Sequence, residues 1–141
     1  MAAYLEARSG APLLLVGEAP GYRGARISGI PFTSERQLTG AGPAEATATI
    51  VQRVLLELGL TEQVLLWNVV PTHPGSETSN RAPTRAEIAD GRCFADELAQ
   101  GRRVIAVGRV AQAALGGAYV RHPSYGGAVE FRRSLRAVIA A

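Results

Sequence analysis

Four short segments of the chain hold the residue types that chemistry needs. In Gly17-Glu18-Ala19-Pro20-Gly21 the glycines let backbone amides approach a ligand or adopt positive φ, and Glu18 supplies a carboxylate. An ordinary Gly/Pro turn is the alternative. In Gly29-Ile30-Pro31-Phe32-Thr33-Ser34-Glu35, Phe32 stands in a loop beside Pro31. An aromatic so placed either stacks on a nucleobase, a contact worth about 1–3 kcal/mol, or anchors the loop on the core. In Trp67-Asn68-Val69-Val70-Pro71, Asn68 interrupts an apolar run. Its carboxamide can donate to one heteroatom and accept from the next, or it closes a turn. In His122-Pro123-Ser124-Tyr125-Gly126-Gly127, Pro123 restricts the backbone after His122. Ser124 and the glycines offer a hydroxyl and amides to a phosphate, and Tyr125 an aromatic wedge for a base stack. A turn leading into the last helix is the plainer reading.

Composition removes several competing chemistries. All 15 basic residues are Arg. Without lysine there is no Walker P-loop and no Schiff-base chemistry. No Gly-x-Ser-x-Gly elbow occurs, and the spacing of Gly17, Gly21 and Gly24 does not match a dinucleotide-binding fingerprint. Two histidines, His73 and His122, and the single Cys93 are too few for a zinc or iron–sulfur ligand set. No metal or cofactor is expected, and Cys93 reads as a packing residue on an apolar helical face. The net charge is +3. It is uneven: residues 1–80 carry 5 Arg and 7 acids, residues 81–141 carry 10 Arg and 5 acids. The basic half suits a phosphate-bearing partner, or reflects a habit of composition.

The elements that position these segments follow from the apolar pattern. Pro12–Val16, Val64–Val69, Arg103–Val107 and Ala118–Arg121 read as buried strands. Between them, Ile50, Val54 and Leu58 recur at helical spacing from a start near Pro43 to a stop at Gly59. Thr84 and Glu87 form a capping box for a helix that sets Phe94 and Leu98 on one face and runs to about Ala99. Val110–Leu115 reads as a short helix. Phe131, Leu135, Val138 and Ile139 form the apolar stripe of the last helix, opposite Arg132, Arg133 and Arg136. The alternation predicts an α/β fold in one domain over residues 1–141, with an open parallel sheet between helical layers. Two long connections, 17–42 and 71–83, follow carboxyl ends of strands, where such sheets place ligands.

Taken in order, the four segments resemble the uracil-DNA glycosylase superfamily over Gly17 to Gly127. Gly-Glu-Ala-Pro-Gly is similar to the first motif of its bacterial and archaeal branch. Gly-x-Pro-Phe is similar to the base-stacking segment, Asn68-Val69-Val70 to the base-reading segment, and His122-Pro123-Ser124 to the final motif. The resemblance implies a three-layer α/β/α fold with a short, about four-stranded parallel sheet. It implies a DNA repair enzyme that flips a uracil or related deaminated base out of DNA and hydrolyses its glycosidic bond.

Under that resemblance Phe32 stacks on the base and Asn68 reads its edge. Uracil offers the matching pair through O4 and N3–H, cytosine the reverse. Gly17, Ala19 and Tyr22 join the substrate pocket, Tyr22 as the candidate that excludes a thymine methyl. His122 stabilises the departing base anion. Pro20, Gly21, Ser124, Tyr125 and Gly126 meet the DNA. Two departures stand out. Other branches carry an Asp or Asn that aligns water where this chain has Ala19, so Glu18, with Glu35 second, becomes the candidate carboxylate. The similar branch binds a four-iron, four-sulfur cluster through four cysteines, and this chain has one. A monomer in the cytoplasm, acting on DNA and not on membranes, is the expectation. A catalytically silent nucleobase or damaged-DNA binding module of the same fold, and an unrelated small α/β hydrolase, are the alternatives. The hydrolase requires that Phe32, Asn68 and His122 stay apart.

Overall fold

The computed structural model describes residues 1–141. Strand β1 (Leu13–Gly17) pairs with β2 (Val64–Asn68) on one side and β3 (Arg103–Val107) on the other. Strand β4 (Ala118–Val120) completes the order β2-β1-β3-β4. All pairings are parallel: Leu13 lies opposite Val64 and Arg103, and Ile105 opposite Ala118.

The period of two along β1 divides its side chains between two cores. Leu15 faces a layer made by α4 (Ala46–Glu57) and α7 (Ala128–Ala140), where Val51, Val54, Leu55, Phe131 and Leu135 are buried. Leu14 and Val16 face α5 (Arg85–Ala99) and α6 (Arg109–Leu115), which contribute Ala95 and Ala111. Helices thus cover both faces of a four-stranded parallel sheet, the α/β layering expected from the sequence. The second core is thin because its contact residues are small. A Cβ on Gly91 would lie 2.1 Å from the carbonyl oxygen of Val69, so α5 lies close against the chain just beyond Asn68. Helix α1 (Ala2–Ala7) guards the sheet edge, where the Leu66 amide donates to the Tyr4 hydroxyl at 2.7 Å.

Several local expectations need correction. Pro43 is not in the first turn of α4, which begins at Ala46 with Glu45 as N-cap. The core face of α5 runs through Ile88, Gly91, Ala95 and Leu98, rotated away from the larger side chains. Phe94 is therefore 52% exposed. Cys93 is exposed as well, and not a packing residue. The connection 17–42 contains two short helices, α2 (Ala25–Ser28) and α3 (Glu35–Thr39). The capping box at Thr84 is present, with the Glu87 amide 3.2 Å from Thr84 Oγ1 and the Thr84 amide 2.8 Å from Glu87 Oε2.

Candidate active site

The carboxyl ends of the strands converge on one rim. Chain order reverses direction between β1 and β3, which creates the crevice where open α/β sheets bind ligands. Gly17, the last residue of β1, is in register with Asn68, the last residue of β2. A Cβ on Gly17 would lie 2.3 Å from Phe32 Cζ and 2.8 Å from Asn68 Oδ1. Ring and carboxamide therefore meet over a bare α-carbon, and glycine is needed there for its size. Asn68 is 3% exposed, yet its carboxamide makes no hydrogen bond within the protein. The one sealed side-chain atom without a partner is Trp67 Nε1, so the Asn68 carboxamide is not cut off from solvent and stands open to a ligand or water in the pocket.

Phe32 holds a left-handed backbone at φ 51°, a conformation that costs about 1–3 kcal/mol in a non-glycine residue. Its neighbours hold it there. Gln52 Nε2 donates to the Phe32 carbonyl at 2.9 Å and to Thr33 Oγ1 at 3.0 Å. Thr33 Oγ1 donates to the Pro31 carbonyl at 3.0 Å, and Ser28 Oγ to the Thr33 carbonyl at 2.6 Å.

His122 follows β4 and rests against Gly108, whose φ of 87° favours glycine. The Ser124 amide donates to His122 Nδ1 at 3.1 Å, and Ser124 Oγ lies 2.7 Å from the same nitrogen. An amide only donates, so Nδ1 is an acceptor and the neutral ring carries its proton on Nε2. Burial, then the nearby Arg121 charge, lowers the pKa of His122 from the usual 6.5. At neutral pH the residue is an uncharged imidazole with one free N–H donor.

Phe32, Asn68 and His122 line a single pocket of about 50 Å³ together with Glu18, Ala19, Pro20 and Gly21. By the measure of one water per roughly 10–15 Å³, that is room for about four waters, comparable with one pyrimidine ring. The unrelated-hydrolase reading required these three side chains to stay apart, and they do not. The pocket opens into a cleft of about 250 Å³ that adds His73, Asn80, Arg81, Ser124 and Tyr125. Tyr125 projects from this rim 98% exposed, at φ 51°, and the adjoining Gly126 is also exposed, at φ 73°. Tyr22 does not join the pocket. It lines a separate cleft with Pro43 and Arg26, beneath the Arg23 guanidinium 5.3 Å from its ring centroid. A role for Tyr22 in excluding a methyl group from the pocket is therefore withdrawn. Glu35 also lies outside the pocket, with its carboxylate beside Gly42.

The sequence reading missed Glu45, Thr47, His73, Asn80 and Arg81. Glu45 and Thr47 enter the pocket from the start of α4. His73, Asn80 and Arg81 come from the connection after β2, which is tied to the first loop. The Tyr22 amide donates to Asn80 Oδ1 at 3.0 Å, Arg26 Nη2 to the Glu77 carbonyl at 3.4 Å, and His73 Nδ1 faces the Pro20 carbonyl at 2.7 Å. Burial pushes the carboxyl pKa of both Glu18 and Glu45 up, and for Glu45 the His73 charge works in the opposite direction. The one available signal for Glu45 was the pair Gly21 and Gly24, whose missing side chains make room for its carboxylate.

The donor set does not fit the iron–sulfur cluster of the similar branch. Four thiolates are needed, the chain has one cysteine, and no cluster of three or more potential metal ligands forms. No helix is long and apolar enough to cross a membrane. Comparison with curated proteins finds no match. The family model for the uracil DNA glycosylase superfamily, a group made up in general of DNA glycosylases, matches residues 6–140, and the chain belongs to that superfamily.

Proposed function

We propose that the protein is a DNA repair glycosylase that hydrolyses the N-glycosidic bond of uracil, or a related deaminated base, flipped out of DNA. The observation that carries this reading is the meeting of Phe32, the unpartnered carboxamide of Asn68 and the neutral imidazole of His122 around one small pocket. A base inside a duplex cannot reach such a pocket, so the nucleotide must rotate out. Phe32 stacks on its face, and Gly17 lets ring and carboxamide close together. Asn68 accepts from N3–H and donates to O4. As the C1′–N1 bond breaks, its electron pair passes to the base, and negative charge builds on O2. His122 donates from Nε2 to that oxygen. Burial keeps the ring neutral, and its Nε2–H is already aimed as a donor, so the developing anion is met by a hydrogen bond without proton transfer. Removing one preorganised donor of this kind costs about 10²–10³ in rate. Glu18 and Glu45 are the carboxylates within the pocket available to the attacking water.

The outer cleft suits the DNA strand. Ser124, Pro20 and Gly21 border it at the level of the flanking phosphates, Arg81 adds a positive charge, and Tyr125 fills the gap left in the base stack. The experiment is excision from a uracil-containing oligonucleotide, single-stranded and paired with A or G, read by alkaline cleavage at the abasic site. Release that disappears in Asn68→Ala and His122→Ala supports the proposal. No release from any uracil, hypoxanthine or xanthine substrate overturns it. Ala19, which offers no side chain to a water, is the observation behind the binding-module alternative. Tight binding of uracil DNA without turnover would establish that alternative.

A further inference from the structure

Resting on the glycosylase reading, we propose that Glu45, at the head of α4, is the base that takes the proton of the attacking water, a task the first loop cannot perform through Ala19. The carboxylate is seated in a cradle of bare backbone: a Cβ on Gly21 would lie 1.9 Å from its Oε2, and one on Gly24 2.8 Å from the same atom. Its backbone is fixed too, because the Glu45 amide donates to the fully buried Ser34 Oγ at 2.8 Å. The carboxylate oxygens accept no hydrogen bond from the protein, so their lone pairs are free for a water. The side chain lines both the inner pocket and the outer cleft, the junction at which the deoxyribose of a flipped nucleotide must pass.

His73 separates Glu45 from Glu18. Both ring nitrogens of His73 face carbonyl oxygens: Nδ1 the Pro20 carbonyl at 2.7 Å, Nε2 those of Ser76 at 2.7 Å and Ser79 at 3.0 Å. Carbonyls only accept, so these contacts hold the ring in place through its N–H donors. Its charge favours the ionised form of Glu45, against the burial that raises its pKa. Glu18 has burial alone. Two carboxyls in one site with environments that differ in this way divide their roles. Burial pushes both carboxyls up, and only at Glu45 does a neighbour, His73, oppose it. In the step itself, the water oxygen bonds to C1′ as the C1′–N1 bond breaks. The bonding pair leaves with the base, the water proton passes to Glu45, and Glu45 later returns it to solvent.

The test is single-turnover excision of uracil across pH for the wild type, Glu45→Gln, Glu18→Gln, His73→Gln and the outlying control Glu35→Gln. Glu45→Gln is expected to lose about 10²–10³ in rate, within the range for general base catalysis, while still binding the uracil oligonucleotide. Because an unpartnered, half-buried carboxylate is a stability cost at neutral pH, Glu45→Gln should melt no lower than wild type. A purely structural role would lower its melting temperature. The groups around Glu45 that titrate or carry charge are Glu18, His73, His122, Arg81 and Tyr125. The acid limb of the wild-type profile should vanish in Glu45→Gln and move to higher pH in His73→Gln, which removes the neighbour that opposes burial at Glu45. Added formate should restore part of the rate to Glu45→Gly. Glu45→Gln within twofold of wild type, or an acid limb that Glu18→Gln removes and Glu45→Gln leaves, overturns the assignment. A silent wild type sinks the glycosylase reading instead.

Discussion

Gly17→Ala tests the heart of the site with a single methyl group. The backbone tolerates it, because Gly17 is absent from the positions of positive φ, so any effect is steric. The new Cβ would sit 2.3 Å from Phe32 Cζ, about 1.1 Å short of the 3.4 Å at which ordinary contact begins, and 2.8 Å from Asn68 Oδ1. Neither partner can retreat freely. Phe32 is 9% exposed, and its carbonyl is held by Gln52 at 2.9 Å. Asn68 stands in a strand whose residues are all buried. Overpacking of this kind costs about 1–3 kcal/mol, and a displacement near 1 Å of a positioning group costs about 10²-fold in rate. The expected result is a folded protein whose single-turnover excision of uracil falls by about two orders of magnitude, with a lower midpoint in urea. Gly10→Ala is the control, since a Cβ there meets nothing within 4 Å. Wild-type rate and stability in Gly17→Ala would show that ring and carboxamide do not close over this α-carbon, and the argument for a base pocket would fail with it.

His122→Ala should reduce excision by about 10²–10³ and also change stability with pH. The folded ring has a depressed pKa, so the unfolded chain binds the extra proton first. The stability from burying it neutral is present above pH 6.5 and is lost as pH falls through the depressed value. Urea unfolding at pH 5 and pH 7.5 should show a smaller difference in the variant than in wild type. Tyr125→Ala, at a side chain 98% exposed, should leave the melting temperature unchanged. It should slow excision from duplex more than from single-stranded DNA, and equal loss on both would refute the wedge role. Thr84→Ala removes the cap of α5 and should cost about 1 kcal/mol, read as a loss of about 3–4 °C in melting temperature, with excision kinetics retained.

Strands β1 to β3 and the three long helices, α4, α5 and α7, were legible because each repeats its pattern over enough residues. Leu14, Leu15 and Val16 are all fully buried in β1, as a near-continuous apolar run requires of a central parallel strand. The short helices were not legible, since four residues in α2 and five in α3 cannot display a 3.6-residue period. Ser34-x-x-Gln37 was the available sign, a capping box that does form at the start of α3. The face of α5 was misjudged because large apolar residues were given priority. The actual contact uses Gly91 and Ala95, since a helix this close to Val69 leaves no room for Phe94. At the site, residues within motifs were visible, while Glu45 and His73 were not. Each acts across a loop from the motif it serves, and apart from the room left by Gly21 and Gly24 for Glu45 nothing in sequence marks that approach. Tyr22 erred the other way. It lies next to the motif in sequence, but its side chain faces the cleft beside Pro43.

The distribution of unfavourable features argues for this site independently of any family likeness. Three polar residues count as buried: Thr33, Ser34 and Asn68. Thr33 and Ser34 are bonded to Pro31, Gln52 and Glu45, as the cost of desolvating a hydroxyl demands. Of these three Asn68 has no partner inside the chain, and next to it in β2 Trp67 Nε1 is the one sealed side-chain atom without one. The two non-glycine residues at positive φ, Phe32 and Tyr125, border the pocket and its outer cleft. The two carboxyls with raised pKa, Glu18 and Glu45, line the pocket between them. A chain with marginal net stability does not gather an unpaired amide, strained backbone and desolvated acids at one rim for the sake of folding. A pyrimidine edge would partner the amide and a sugar turning cationic would favour the ionised form of the desolvated acids, and both demands arise together when a glycosidic bond is hydrolysed.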